Sequence, residues 1–362
     1  MAGNMLKDER RLKVGILGCG AIAQAAHFES ATKAHNVELY AICDVADDLR
    51  ERMACMHKPE KSFPDYGEML ADPGLDAVVI ATADTFHVPA ATAALRAGKH
   101  VLCEKPVGVN VEEVQDLKRA VQQSGRLLQV GHMKRFDAGL QSAKAFIDGE
   151  MGELLALKAW YCDSTHRYQL TDAVQPLIIT SSNAKRPSAD PKANLEHYYM
   201  LAHGCHLLDT ARYLGGEIVE VDARLRQRFG MYCWFVDVAF SSGAIGHLDL
   251  TVAVRMDWHE GFQIYGEHGS VVGKTYNPWL FKTSDVDIFH ESNGTTTRLL
   301  GADGHFYRRQ LEGFAAAILD HAPMTGADID DGLASVRGMV AISQSVRTKK
   351  PVRLAEVLGG LR

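Results

Sequence analysis

The chain has 362 residues, 46% of them hydrophobic, which is enough for two folded domains with sizeable cores. Its formal net charge of -6 at pH 7 predicts neither a nucleic-acid-binding protein nor one that associates with anionic membranes. No apolar run reaches the length needed to span a bilayer, so we expect no membrane partner.

The N-terminus and the cysteines bear on the cellular compartment. Residues 1–11 are polar and contain no apolar core, so we expect no secretory signal. The seven cysteines are scattered, odd in number and without a Cys-x-x-Cys pair. This pattern predicts reduced thiols and a cytoplasmic protein.

The first third of the sequence alternates short apolar strands with helical segments. The predicted strands are Val14 to Leu17, Leu39 to Cys43, Ala77 to Ala81, Val101 to Cys103, and Leu127 to Val130. Such alternation is typical of right-handed β-α-β units and predicts an α/β fold with a parallel sheet. Apolar residues at helical spacing from Val111 predict a helix that ends at Gly125.

Beyond Gly131 the pattern changes to longer strands in which apolar and polar residues alternate. Two strands and two hairpins have this pattern: residues 154–161, 219–226, 235–250 and 262–272. Residues 171–192 contain three prolines among polar residues, which predicts a long loop of the kind that often covers a binding site. Residues 307–322 and 329–348 have helical periodicity. These features predict an α+β domain on a largely antiparallel open sheet over residues 131–362.

A glycine-rich turn follows the first strand, in the run Lys13-Val-Gly-Ile-Leu-Gly18-Cys-Gly20-Ala-Ile-Ala23. Gly18 permits a tight turn, and Gly20 lacks the side chain that would keep the backbone away from a pyrophosphate. The next helix begins with Ala21 and Ile22, and its N-terminus would face the phosphates. The turn therefore predicts a dinucleotide-binding site.

The second strand ends in Asp44, about twenty residues beyond the glycines, where such sites bind a ribose. Its carboxylate can accept hydrogen bonds from both ribose hydroxyls and would repel a 2′-phosphate. The first arginine after it is Arg50, so the sequence favours NAD over NADP. We assign residues 1–130 to an NAD-binding Rossmann domain.

Glu104, Lys105 and Pro106 follow a predicted parallel strand, at the end where doubly wound sheets bind ligands. A lysine beside a nicotinamide can hydrogen-bond a reacting hydroxyl, and burial can lower its pKa enough for proton transfer. The alternative is a surface Glu-Lys pair before a proline turn.

Together, the glycine turn, Asp44 and the Glu104-Lys105-Pro106 motif resemble the glucose-fructose oxidoreductase, inositol dehydrogenase and rhizopine-catabolism (Gfo/Idh/MocA) family over essentially the whole chain. The resemblance implies hydride transfer with NAD as cofactor. It places Lys105 at the hydride-transfer site and Pro106 in a peptide that is commonly cis.

The resemblance extends to Ala81 through His87, which matches a strand-end segment that normally reads Thr-Pro-Asn before a histidine. Ala83 and Asp84 replace the usual proline and asparagine. It implies that Thr82 and the loop backbone contact the nicotinamide half of NAD, while His87 is expected to cap the next helix rather than to react.

The second half contains Leu201-Ala-His-Gly-Cys-His206-Leu-Leu-Asp209, which resembles the family's Asp-x-Gly-x-His-x-x-Asp helix. The resemblance gives His206 the role of acting on the substrate hydroxyl. Asp209 would orient the substrate or the imidazole.

Ala202 stands where inositol dehydrogenases have the first aspartate of that pattern. His203, Tyr199 or Tyr198 could supply the missing polar contact, or a substrate group could fill the space. His203 and His206 could instead be hydrogen-bonded core residues. The spacing of the histidines and the aspartate does not favour a metal ion, and we predict none.

Other candidate substrate contacts combine basic groups with aromatic rings at predicted loops and at the domain junction. They are Lys134, Arg135, Phe136, Trp160, His166, Arg167, Tyr168, Lys185, Arg186, Trp258, His259 and Glu260. Aromatic faces suit sugar rings, and arginine suits carboxylate, phosphate or sulfonate groups. We therefore expect a sugar, glycoside or cyclitol substrate, with anionic sugars included.

Three functions remain open at this point. The first is an NAD-dependent dehydrogenase of a sugar, glycoside or cyclitol. The second is an NAD-dependent glycoside hydrolase that works by transient C3 oxidation, elimination, hydration and re-reduction, and the third is a non-catalytic sensor. The open apolar sheet face also predicts a homo-oligomer, either a dimer or a tetramer.

Overall fold

Two β-sheets organise the chain, one in each half of the sequence. The computed structural model describes residues 10–164, 175–188 and 193–361. The first sheet contains β1 (Leu12–Leu17), β2 (Val37–Cys43), β3 (Lys61–Phe63), β4 (Ala77–Ile80), β5 (His100–Cys103) and β6 (Leu128–Val130). All its strands are parallel, in the order β3-β2-β1-β4-β5-β6, which confirms the predicted Rossmann sheet.

Helices cover this sheet, so that central strands such as β4 are buried along their whole length. They are α1 (Phe28–Lys33), α2 (Asp47–His57), α3 (Tyr66–Ala71), α4 (His87–Arg96) and α5 (Val111–Ser124). A π-helical turn, Ala23–His27, separates the glycine turn from α1. Helix α5 starts at an Asn110 cap and ends at Gly125 with φ +63°, as predicted. The sequence prediction missed β3, because a three-residue strand has no readable alternation.

The second sheet has nine strands. They are β7 (Leu154–Ser164), β8 (Ile218–Arg228), β9 (Met231–Phe240), β10 (Ile245–Val254), β11 (His259–Gly266), β12 (Gly269–Thr275), β13 (Asp285–His290), β14 (Thr295–Arg298) and β15 (Val352–Arg353). Their order is β14-β13-β12-β11-β7-β10-β9-β8-β15. Strands β7 and β10 pair in parallel and the other neighbours pair antiparallel, so the predicted largely antiparallel sheet and both hairpins are confirmed.

Helices cover one face of the second sheet. The second half of the chain contains α6 (Ala138–Gly149), α7 (Leu195–Tyr199), α8 (Cys205–Gly215), α9 (Phe306–Leu319) and α10 (Ile329–Thr348). Helices α6, α8 and α10 contact the strands directly. The opposite face exposes apolar side chains from six strands: Leu155, Phe235, Ile245, Tyr265, Val272 and Phe289. The sheet is therefore open on one side, as its alternating sequence predicts.

Helix α9 brings the end of the chain back to the first half. Its residues Leu311, Phe314 and Ala315 are buried in the apolar cluster that contains strands β1 and β2. The proposed boundary at residue 130 falls directly after β6, yet α9 crosses back over it. This return packing joins the second half of the chain to the parallel sheet.

All seven cysteines lie in the described part of the chain and are free thiols. Burial raises the pKa of Cys43 to about 12 and that of Cys162 to about 11. These two thiols therefore stay protonated at neutral pH. Within the described ranges, the helices fall short of the length and apolarity that crossing a membrane requires.

Candidate active site

A cavity of about 870 Å³ lies where the carboxyl edge of the parallel sheet meets the second half. This volume is within the range of small-molecule sites. Its lining includes predicted residues from both halves: Gly18, Gly20, Ala21, Ile22, Asp44, Thr82, His87, Glu104, Lys105, His203 and His206. The fold thus gathers motifs that are far apart in the sequence.

The glycine turn forms a cradle at one end of the cavity. Gly18 has φ +95°, and a Cβ atom there would lie 2.8 Å from the Ala81 carbonyl oxygen. A Cβ atom on Gly20 would meet open space, so the backbone at this position faces the cavity directly. This shape fits a pyrophosphate that approaches the main chain at the start of a helix.

Asp44 is fixed beside the cradle by the main chain. Its Oδ2 accepts from the Cys19 amide at 2.7 Å, and its Oδ1 accepts from the Ala46 amide at 2.9 Å. Arg50 donates to the Asp44 carbonyl oxygen at 2.9 Å and pairs with Asp47. The carboxylate keeps acceptor capacity for ribose hydroxyls, and the nearest arginine is engaged elsewhere.

Lys105 follows the end of β5, precedes a cis peptide bond to Pro106, and extends across the cavity. Its Nζ donates to the Ala202 carbonyl oxygen at 3.1 Å. Glu104 Oε1 lies within hydrogen-bond distance of His27 Nε2, at 2.9 Å. Burial raises the pKa of Glu104, but the hydrogen bond and charge of His27, together with Lys105, lower it below its usual value. Glu104 therefore stays ionised and anchors the turn that carries Lys105.

His87 connects two strand-end segments. Its Nδ1 lies 2.7 Å from the Pro106 carbonyl oxygen, and its Nε2 lies 3.1 Å from the Thr82 carbonyl oxygen. The prediction that His87 caps helix α4 is wrong, because both ring nitrogens face carbonyl oxygens of other segments. Pro106 contributes through this contact and lies outside the cavity lining.

His206 enters the cavity from α8, directly after a second π-helical turn, Met200–Gly204. Its ring is 6% exposed and lies parallel to the Tyr161 ring at 6.0 Å. Burial, and then the charges of Lys105 and Lys134, lower the pKa of His206 well below its usual value of 6.5. The imidazole is therefore neutral at physiological pH and able to accept a proton.

His203 occupies the space beside Ala202. Its Nδ1 lies 3.2 Å from the Tyr161 hydroxyl, and its Nε2 lies 3.3 Å from Asp163 Oδ2. Tyr198 also lines the cavity, with its ring 6.3 Å from that of His203. Tyr199, by contrast, packs between His203 and Tyr232 and lies outside the lining.

Lys134 supplies a second buried cation to the lining. It pairs with Glu260, and its Nζ lies 4.4 Å from the centre of the Tyr161 ring and 5.9 Å from that of Trp258. Burial lowers the pKa of Lys134 and raises the pKa of Glu260. The pair places a cation and an aromatic wall on the side of the cavity opposite the glycine cradle.

Arg135 and Asp209, both predicted to contact substrate, lie outside the lining and bind each other. Arg135 Nη2 donates to Asp209 Oδ1 at 2.7 Å, and its Nη1 donates to Asp331 Oδ2 at 2.8 Å. Arg212 donates to the other Asp331 oxygen at 2.8 Å. This buried network joins the Met133–Phe136 turn to α8 and α10, so it positions the helix that carries His206.

Several lining residues have no counterpart among the sequence predictions, and they include Tyr66, Tyr161, Asn277, Trp279 and Tyr307. Trp279 stacks on Tyr307 at 5.5 Å, and both come from segments with no chemical motif of their own. Tertiary packing alone brings them to the site. The predicted contacts His166 and Arg167 lie outside the described residues.

Comparisons with known proteins agree with this geometry. Residues 12–132 match the oxidoreductase family's NAD-binding Rossmann fold, and residues 199–354 match its C-terminal alpha/beta domain. The chain belongs to the Gfo/Idh/MocA oxidoreductase family. NAD is its cofactor, and the glycine cradle and Asp44 are the residues that fit it.

Two curated relatives are aligned over nearly their full lengths. A myo-inositol 2-dehydrogenase from Thermotoga maritima is 25% identical, with 96% of this chain and 100% of that protein covered. An inositol 2-dehydrogenase 2 from Saccharopolyspora erythraea is 28% identical, with 95% and 96% covered. The crystal structure of scyllo-inositol dehydrogenase from Lactobacillus casei, with NAD(H) and scyllo-inositol, has a TM-score of 0.71 at 20% identity, covering 96% of this chain and 100% of that one.

We predict that Asp44→Asn weakens NAD binding about tenfold or more, because a charge-assisted hydrogen bond contributes roughly 1.5–3 kcal/mol. Isothermal titration calorimetry with NAD and NADP measures this change. Glu51→Gln, an exposed charge change on the adjacent helix α2, is the matched control and should leave NAD affinity unchanged. Equal affinity of the Asp44→Asn and wild-type proteins for NAD would show that Asp44 does not contribute to NAD binding.

We predict that Asp331→Asn lowers the free energy of unfolding by about 2 kcal/mol at pH 7. Burial raises the pKa of Asp331, but Arg135 and Arg212 lower it from 3.8 to about 2. The folded-state pKa is the lower one, so this stabilisation is present above pH 3.8 and is lost as the pH falls towards 2.

Urea denaturation at several pH values measures this difference between Asp331→Asn and the wild type. Asp330→Asn is the control, since Asp330 pairs only with Lys118 at the surface and should change stability by less than about 1 kcal/mol. If the two variants are equally stable, the buried network does not hold the helices as described.

Proposed function

We propose that this protein is an NAD-dependent dehydrogenase that oxidises a secondary alcohol of a cyclitol or sugar. The observation that carries the proposal is the neutral, buried His206 in the same cavity as Lys105 and the glycine cradle. The names of the aligned relatives, which are inositol dehydrogenases, support a polyol substrate.

In this proposal His206 accepts the proton of the substrate hydroxyl, because its pKa keeps it neutral. Lys105 has three ammonium hydrogens and uses one on the Ala202 carbonyl, so another can stabilise the developing alkoxide. The bound nicotinamide supplies the hydride acceptor. In the reverse direction the same two side chains polarise and protonate a ketone.

His203 replaces the polar contact that an aspartate at position 202 would make. Asp163 Oδ2 and the Tyr161 hydroxyl lie 3.3 Å and 3.2 Å from its two ring nitrogens and fix the ring in the cavity lining. Lys134 adds a cation beside the Tyr161 and Trp258 rings. Aromatic walls with one buried cation suit a sugar ring, and they accept an anionic sugar.

A glycoside hydrolase that uses NAD transiently is the second candidate. The observation that favours it is the pair of imidazoles, His203 and His206, in one cavity. Elimination next to an oxidised carbon needs a second base, and His203 can serve as one when its Nδ1 exchanges the Tyr161 hydroxyl for the substrate, while Asp163 stays at its Nε2.

The exposed apolar face of the nine-stranded sheet supports a homo-oligomer in this proposal. Phe235 and Ile245 lie near its centre, on paired strands, and would be buried by a second copy. The free thiols agree with a cytoplasmic location.

The purified protein incubated with NAD and a panel of inositols, hexoses and aryl glycosides separates the two activities. A dehydrogenase accumulates NADH in proportion to substrate, whereas the hydrolase releases aglycone without net NADH. His206→Asn and Lys105→Met should each lower kcat by about 10²- to 10⁴-fold while NAD binding is retained. His35→Asn, a surface histidine change, is the control, with activity like the wild type. Unchanged kcat in either site variant would refute the assigned roles.

The low pKa of His206 also predicts the pH profile of alcohol oxidation. A base that must be neutral limits kcat/KM only below its own pKa, which burial and the Lys105 charge hold well below 6.5. We therefore expect kcat/KM to stay level as the pH falls from about 8 through 6.5. An acid limb centred at 6.5 or higher, absent in His206→Asn, would contradict this assignment.

A further inference from the structure

Residues 175–188, which belong to the second half of the sequence, lie across the cofactor end of the cavity. We call this segment the clasp. Its Ala184 and Lys185 line the cavity together with the glycine turn. Its Ile179 packs against the apolar cluster of the parallel sheet. The clasp therefore contacts the NAD-binding half, although it lies beyond β7 in the chain.

The first anchor of the clasp is Gln24, a buried residue in the π-helical turn after the glycines. Gln24 Nε2 donates to the Ile179 carbonyl oxygen, and Gln24 Oε1 accepts from the Ile179 amide, both at 2.9 Å. Nε2 also donates to the Cys19 carbonyl oxygen at 2.8 Å. One side chain thus joins the clasp to the pyrophosphate cradle itself.

The second anchor is the hydroxyl of Ser181, which lies 2.8 Å and 2.9 Å from the two carboxylate oxygens of Asp48. The hydrogen bond from Ser181 lowers the pKa of Asp48, so this acceptor is ionised at neutral pH. Asp48 is on α2, four residues after the ribose-binding Asp44. The clasp is therefore also joined to the ribose side of the site.

The third contact is made by Lys185, whose Nζ lies 5.6 Å from the centre of the Phe86 ring. Phe86 follows β4 and lines the cavity. Lys105 and Lys134, the other lysines of the described lining, are engaged with Ala202 and Glu260 on the substrate side. Lys185 instead contacts the loop after β4, in which Thr82 Cγ2 lies 3.3 Å from the position of a Cβ atom on Gly18.

We propose that the clasp is a wall of the NAD site, and that Lys185 supplies a positive charge to the dinucleotide pyrophosphate. The pyrophosphate carries two negative charges, whereas the glycine turn offers only main-chain amides and a helix N-terminus. Because the clasp contacts three segments around the cofactor end, we expect loss of these contacts to speed the release of NAD. The proposal rests on NAD binding and is independent of the substrate.

A charge series at position 185 tests the pyrophosphate contact. Isothermal titration calorimetry should give about fivefold weaker NAD binding for Lys185→Ala, a larger loss for Lys185→Glu, and wild-type affinity for Lys185→Arg. Added salt should weaken NAD binding to the wild type more than to Lys185→Ala.

Arg186→Ala is the matched control, since Arg186 is an exposed cation on the same segment and lies outside the lining. It should bind NAD like the wild type. Equal affinities across the charge series, or the same loss in Arg186→Ala as in Lys185→Ala, would overturn the assignment of Lys185.

Closure of the clasp is tested by the rate of NADH dissociation in stopped-flow fluorescence. Ser181→Ala removes the anchor to Asp48 and should release NADH severalfold faster, whereas Ser182→Ala, a change at the exposed neighbouring serine, should not.

NAD should also slow tryptic cleavage of the wild type after Lys185 but not after the exposed Arg298. Equal dissociation rates for the two serine variants, or cleavage after Lys185 that NAD does not slow, would refute the clasp.

Discussion

The hydrogen bond from Lys105 Nζ to the Ala202 carbonyl oxygen is the contact on which the rest of the site depends. It spans the cavity from the end of a parallel strand to a π-helical turn of the second half. On one side Glu104 and His27 fix the turn that carries the lysine. On the other side the buried ion pairs of Arg135 fix the helix that carries His206. Neither half alone brings Lys105, His206 and the glycine turn together.

The fold and the cofactor end of the site were accessible from the sequence because local rules govern them. The glycine turn and Asp44 belong to a single β-α-β unit. The conformation of the turn and the position of the carboxylate are therefore determined by residues that are close in the sequence. The strands of the parallel half are short and apolar, whereas those of the antiparallel half alternate apolar and polar residues, so the two sheets can be distinguished in the sequence. Lys105 could be placed because it follows a strand whose carboxyl end must face the ligand.

The substrate end was less accessible, because its geometry depends on backbone irregularity and on pairing across the fold. The π-helical turn at Met200–Gly204 changes which neighbouring side chains face the cavity, and helical spacing does not reveal such a turn. Of the two tyrosines that the sequence offered, Tyr198 lines the cavity and Tyr199 does not. Arg135 and Asp209 have the chemistry of substrate ligands, but each finds its partner in the other. A sequence does not show whether a charged side chain is already paired.

Transfer of hydride between a secondary alcohol and NAD in this cavity is the central claim, and isotope tracing tests it most directly. The protein is incubated with NAD and carbon-deuterated myo-inositol, scyllo-inositol or glucose, and the nicotinamide C4 is examined by NMR. Deuterium should appear at C4 with at least one of these polyols in the wild type, and at least about 10²-fold more slowly in His206→Asn, which still binds NAD. A cofactor that stays unlabelled with all of them, or labelling at equal rates in both proteins, would contradict the account.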